Sequence, residues 1–208
     1  MNDRALELVM GTWIEKLSKS GNGNSTRDTL GNTLLHRLGR RRDGMFSDTY
    51  LHELYAPLTS VEIVELQVLI GKRLPSEVAK YYGIANGFSL YCGSLSFSGL
   101  RKQRDRTIRT PVSLEFGNSI EVPILDVESS SRLRLGFYAF GSGYEILVGN
   151  DGSGRVYLVP RLSALPVLKT WPCLAEFVQD ELLRLEDLYG SCPESVDPLN
   201  PLPPPVLG

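Results

Sequence analysis

The chain holds two imidazoles, His36 and His52, and a serine or cysteine nucleophile at neutral pH needs a base of that kind beside it. Both histidines precede the stretch that reads as the sheet, and both read as surface residues. Gly141-Ser142-Gly143 lacks the flanking spacing that exposes a serine on a strand-to-helix turn, so Ser–His hydrolysis has no support here. Gly149-Asn150-Asp151-Gly152-Ser153-Gly154 has the glycine content of a phosphate loop. No Lys-Ser/Thr pair follows it, and extended runs bracket it where a helix should open, so it reads as a turn. The oxygens of Asn150, Asp151 and Ser153 fall short of a calcium loop, which requires further acids and a closing glutamate. Cys92, Cys173 and Cys192 are odd in number and far apart, so neither a disulfide framework nor a CxxC motif is present. No catalytic residue, cofactor or metal is expected.

Two charge clusters point instead to partners. Arg101, Lys102, Arg104, Arg106 and Arg109 face only Asp105, and guanidinium groups so clustered release counterions when they meet phosphates. The cluster has no interleaved aromatics to stack on bases, and the chain's formal net charge is −2, which argues against nucleic acid and for a solvated loop. A pocket gathering these arginines with carboxylates such as Glu145 and Asp151 would argue for a small-molecule site or an enzyme, a reading set below protein binding. The stretch 110–131 has the opposite character: Glu115, Glu121, Asp126 and Glu128 with no base among them. Grouped carboxylates suit the basic cleft of a nucleic-acid enzyme and accelerate association with it, so these four acids are the candidate contacts for a protein partner.

With 208 residues, 42% hydrophobic and 22% charged, the chain has the composition of one globular domain with room for a short accessory element. No run of about 18 apolar residues occurs, so no membrane-spanning segment is expected. Asp3, Glu7 and Glu15 interrupt the first twenty residues, which argues against a secretory signal and for the cytoplasm.

The elements follow from periodicity. Leu6, Val9, Met10, Trp13, Ile14 and Leu17 share one helical face. The stretch Ser20-Gly21-Asn22-Gly23-Asn24-Ser25 reads as a linker after it, which makes 1–20 an accessory amphipathic helix. Residues 21–46 read as linker or uncertain structure: Leu30, Leu34, Leu35 and Leu38 keep a helical period that Gly31, Gly39 and Arg40-Arg41-Arg42 weaken. Thr59 with Glu62 has the capping-box form and opens a helix over 60–70, stopped by Gly71. Pro75 starts a second helix, closed by Asn86-Gly87. Val64, Leu69, Val78, Tyr81 and Tyr82 should begin the core. Residues 88–91 and 94–97 alternate around Cys92-Gly93 as a hairpin, where the sheet is expected to begin. Strands follow near 133–140, 144–148 and 155–159, the last two paired across the glycine-rich turn. Pro172 opens a final helix with a stripe of Leu174, Phe177, Val178, Leu182, Leu185 and Leu188. Glu181 falls within that stripe, which puts it at the domain edge or buried beside an arginine. The segment 191–208 is Pro-rich, with six prolines between 193 and 208, and is expected to be extended and mobile. Helices, then strands, then a helix is the α+β order.

The order of motifs resembles the SUKH superfamily of Smi/Knr-type immunity and regulatory proteins. Pro57-Leu58-Thr59-Ser60 through Gly71-Lys72-Arg73-Leu74-Pro75-Ser76-Glu77, ending at Ala85-Asn86-Gly87, is similar to its opening helix pair. Phe137-Tyr138-Ala139-Phe140-Gly141, with the glycine-rich hairpin that follows, is similar to its Phe-Gly strand, and Trp171-Pro172-Cys173-Leu174 to the entry of its last helix. The resemblance covers roughly 50–190, and places the domain at 47–190. It implies a non-catalytic α+β domain with helices packed on one face of a mostly antiparallel sheet. Its commonest activity is neutralising a toxin, often a nuclease, by occlusion; regulatory or scaffolding roles also occur. It brings no catalytic residues to this chain, and the matched Pro75, Gly87, Gly141 and Trp171 look structural.

Overall fold

The computed structural model describes residues 5–20, 25–39, 49–101, 111, 132–138, 143–149, 153–160 and 167–189; side chains at 17–20, 36–39 and 49 are excepted. Among them the order is α1 (Ala5–Ser20), β1 (Ser25–Arg27), β2 (Thr33–Gly39), β3 (Thr49–Leu54), α2 (Ser60–Ile70), α3 (Ser76–Ile84), β4 (Phe88–Leu90), β5 (Leu95–Phe97), β6 (Arg132–Tyr138), β7 (Tyr144–Gly149), β8 (Val156–Pro160), β9 (Lys169–Trp171) and α4 (Leu174–Tyr189). The nine strands form one sheet in chain order, every neighbouring pair antiparallel. The helices cover one side of it. The fold is α+β.

Local chemistry sets the helix boundaries. Thr59 Oγ1 accepts from the Glu62 backbone N–H, and Glu62 returns the bond by accepting from Thr59 N at 2.8 Å, so two orphan donors are satisfied at the start of α2. Gly71 ends α2 at φ 65°, the left-handed conformation that costs glycine least. Pro75 stands at the N-cap of α3 and supplies no side-chain cap. The start of α4 is capped from a distance: Glu77 Oε2, in the first turn of α3, accepts from Leu174 N at 3.1 Å.

The core lies between the helices and the sheet. Tyr81 and Tyr82 of α3, Phe88 and Phe97 of the β4–β5 hairpin, and Phe177 of α4 are fully buried in it. Phe97 stacks on Phe88 at 4.3 Å and on Phe177 at 5.8 Å, joining hairpin to helix. Burial pushes the Tyr81 and Tyr82 hydroxyls well above the usual phenol range, with Tyr82 adding to the shift at Tyr81. Tyr82 donates to Ser98 O at 3.0 Å. Asn86, 4% exposed, clamps Leu100 from both sides: Oδ1 accepts from Leu100 N at 2.7 Å and Nδ2 donates to Leu100 O at 2.8 Å. That clamp brings the backbone of Gly99 so close to Asn86 that a Cβ there would fall 2.3 Å from Asn86 O. Gly87, at φ 91°, has Phe97 O only 2.6 Å from where a Cβ would stand.

Several sequence expectations change. The sheet begins at Ser25 rather than after Gly87, because 25–39 forms β1 and β2, where the sequence reads as linker or uncertain structure. Helix α1 is not set apart from the domain: Leu6, Met10 and Trp13 belong to the same core cluster as the sheet. His52 is no surface residue but lies in β3 at 1% exposure. Val64 and Leu69 stand outside the core at 58% and 49% exposure, and Leu188 at 54% leaves the α4 stripe, whereas Val78, Tyr81 and Tyr82 are buried as expected. Glu181 takes the buried of its two placements, paired with Arg184.

Candidate functional site

Glu115, Glu121, Asp126 and Glu128 lie outside the described residues, as do Asp151, Cys192, Gly141 and positions 102–109. Of the basic cluster Arg101 is described, and it is half-buried. The groups that the structure does place fall into three assemblies.

The first is an aromatic pile that ties α1 and α4 to the sheet. Trp13 meets His52 edge-on at 5.5 Å, His52 meets Tyr91 edge-on at 4.5 Å, and Tyr91 stacks on Tyr189 at 4.6 Å. The β4–β5 turn aims Tyr91 into this pile at a backbone cost, since Tyr91 and Cys92 both adopt positive φ, 47° and 55°. Tyr189 and Ser94 share a 2.7 Å hydroxyl–hydroxyl hydrogen bond, and Ser94 Oγ also donates to Tyr91 O at 2.9 Å. Burial, then the Glu186 carboxylate, raise the Tyr91 hydroxyl above the usual phenol range. Each His52 contact named here is a packing contact or a backbone hydrogen bond, with Tyr91 N donating to Nδ1 at 3.4 Å.

The second comprises two ion pairs on opposite faces of the sheet. Ile146 and Val148 of β7 point to the helix side, so alternation puts Glu145 on the other. There Arg134 Nε lies 3.1 Å from Glu145 Oε2, an ion pair rather than an aligned hydrogen bond, and Glu145 is 2% exposed. Arg132 stacks over the Tyr157 ring at 4.0 Å on the same face. On the helix side Glu181 accepts from Arg184 Nε at 3.0 Å and from Nη2 at 2.8 Å. Burial, then the Glu181 carboxylate, push the Tyr138 hydroxyl up beside it. These carboxylates are engaged within the fold.

The third is the outer face of α2. Val61, Val64 and Val68 stand 74%, 58% and 75% exposed at the i, i+3, i+7 spacing that puts them on one side, with Leu69 beside them. Sequence reasoning missed this surface, although its signal was present: SVEIVELQVLI is apolar around the whole helix, so no single face could hold every apolar side chain against the core.

Among the described residues no group of three or more His, Cys, Asp and Glu is arranged to hold a metal ion. No described helix is long and apolar enough to cross a membrane. The class of protein defined by this geometry is an α+β domain with one-sided helices over an antiparallel meander. Compared with protein-family models, with curated proteins and with solved structures, the chain matches none of them.

Proposed function

We propose that the chain is a non-catalytic, protein-binding domain of the SUKH type, acting in the cytoplasm as an immunity protein that neutralises a toxin by occluding its active site. The observation that supports this reading is the element order. The boxed start of α2, the Gly71 stop, the Pro75 entry to α3, the Gly87 close, the β7–β8 hairpin and the Trp171 entry to α4 fall in the sequence that carries the resemblance. They surround an antiparallel sheet with helices on one side. The engagement of Glu145 and Glu181 in internal ion pairs also favours surface recognition over chemistry. A basic toxin of the nuclease class suits the acids at 115, 121, 126 and 128.

The test is capture of a stoichiometric partner with the full-length chain, starting from the product of the neighbouring gene, followed by expression of that partner alone. A partner that is toxic by itself and silenced by this chain supports the reading; a harmless one removes it. Reversing Glu121 and Asp126 to lysine should weaken that complex and flatten its salt dependence. The six prolines between 193 and 208 favour a second reading, a scaffolding domain whose tail enters a groove that reads extended proline segments. Deleting 193–208 separates the two, since capture survives under immunity and vanishes under scaffolding.

A further inference from the structure

The element whose apolar side chains the fold covers least is α2. Seven of its eleven residues are apolar, yet only Leu66 is buried, and a soluble helix that is apolar on every side is ordinarily covered on every side. The uncovered face consists of Val61, Val64, Val68 and Leu69, all at least 49% exposed. It has neither the aromatic residues nor the basic flanks of a helix that lies on a membrane surface.

We propose that this face is a self-association surface at which α2 packs antiparallel on α2 of a second copy. Charge selects the occupant. Glu65 is exposed among the valines, while Lys72 and Arg73 follow directly after the Gly71 stop, so one end of the helix is acidic and the other basic. A two-fold axis across the middle of α2 lays valine on valine and sets Glu65 of each copy toward Lys72 and Arg73 of the other; a parallel pairing would set like charge on like. The antiparallel arrangement also opposes the two helix dipoles favourably. Four aliphatic side chains fall short of the roughly 800 Å² per partner of a standard interface, so the dimer is a weak one, with a dissociation constant on the order of 10 μM.

Sedimentation equilibrium of the full chain from about 2 to 300 μM tests this, with far-UV circular dichroism and thermal unfolding as controls for folding. The wild type is expected to pass from monomer to dimer across that range. V64E/V68E is expected to remain monomeric with an unchanged spectrum, because both side chains are exposed. E65K should weaken the dimer about threefold or more, and the combined reversal E65K/K72E/R73E should restore it. A wild type that is monomeric at 300 μM overturns the proposal, as does a dimer that V64E/V68E leaves intact. An E65K variant that associates as the wild type does overturns the antiparallel pairing.

Discussion

Replacing Arg184 by alanine removes the cation from a carboxylate that has almost no access to water. Glu181 is 1% exposed and receives its guanidinium hydrogen bonds from Arg184, whose own side chain is 20% exposed. Removing one partner of a buried pair costs about 3–5 kcal/mol, because the remaining charge keeps its desolvation penalty and loses its attraction. The partial exposure of Arg184 lets water reach the edge of the site, which lowers the expectation to about 2–4 kcal/mol. For a domain of this size that corresponds to a fall in Tm of roughly 5–12 °C, since each kcal/mol moves it by about 2–4 °C. Urea unfolding at neutral pH, followed by circular dichroism, gives the free energy. The companion variant E181L/R184L replaces both charges with apolar volume and should return to within about 1 kcal/mol of the wild type. If R184A loses less than about 1 kcal/mol, the carboxylate is not the buried charge described. If the double variant is as unstable as R184A, the loss comes from packing rather than from an orphaned charge.

Gly99→Ala should cost about 3 kcal/mol or prevent folding, because its Cβ would meet backbone atoms of Asn86 and the Asn86–Leu100 clamp would open; denaturant melts check this, and a neutral result refutes the clamp. Cys92→Gly should stabilise by about 0.5 kcal/mol: relief of the left-handed conformation is worth about 1–2 kcal/mol and the added freedom of the unfolded chain takes back about 0.5–1 kcal/mol. Glu77→Ala should cost about 1 kcal/mol by uncapping α4, with amide hydrogen exchange accelerated at Leu174. Tyr81, Tyr82, Tyr91 and Tyr138 are all raised above the ordinary phenol value near 10 by burial. Groups raised in the folded state contribute stability that is complete below the unfolded value and is lost as pH rises above it. Alkaline unfolding should therefore set in above about pH 10, and ultraviolet titration should show these phenolates appearing together with the loss of circular dichroism; ionisation of all nine tyrosines in an intact fold would refute the burial.

What the sequence made legible was the structure that local chemistry determines. Thr59 and Glu62 define the start of α2 through bonds three residues apart, and the glycine-rich turn pairs β7 with β8, so both could be read without knowledge of the rest of the chain. Strand β2 could not be read in this way. Leu34 and Leu35 are adjacent and buried on opposite faces at 4% and 1% exposure, which removes the alternation that marks a strand and leaves a spacing compatible with a helix. Helix α1 was read as an accessory because its glycine-rich exit is a local feature, whereas its docking depends on Trp13 meeting His52, a contact between residues 39 positions apart. Val64 and Leu69 were read as core because a helix without an apolar face gives no indication of which side is inward. The four acids read as partner contacts lie in 110–131, outside the described residues.

The placement of charge limits where recognition can reside. Glu145 is tied to Arg134, Glu181 to Arg184 and Glu77 to the start of α4, and Asp180 accepts from Trp171 Nε1 at 3.0 Å. Each of these acids fixes one element against another, so recruiting any of them to a partner would loosen the fold that presents the partner surface. Recognition by charge therefore falls to acids outside this internal set, and those at 115, 121, 126 and 128 are such a group in the sequence. The α2 face serves a different purpose, because a valine surface attracts without discriminating among charged partners. Under the proposed function the two surfaces act independently: substitutions on α2 should change the number of copies in the assembly and leave the affinity of each copy for its partner unchanged, and a loss of both together would show that they form one interface.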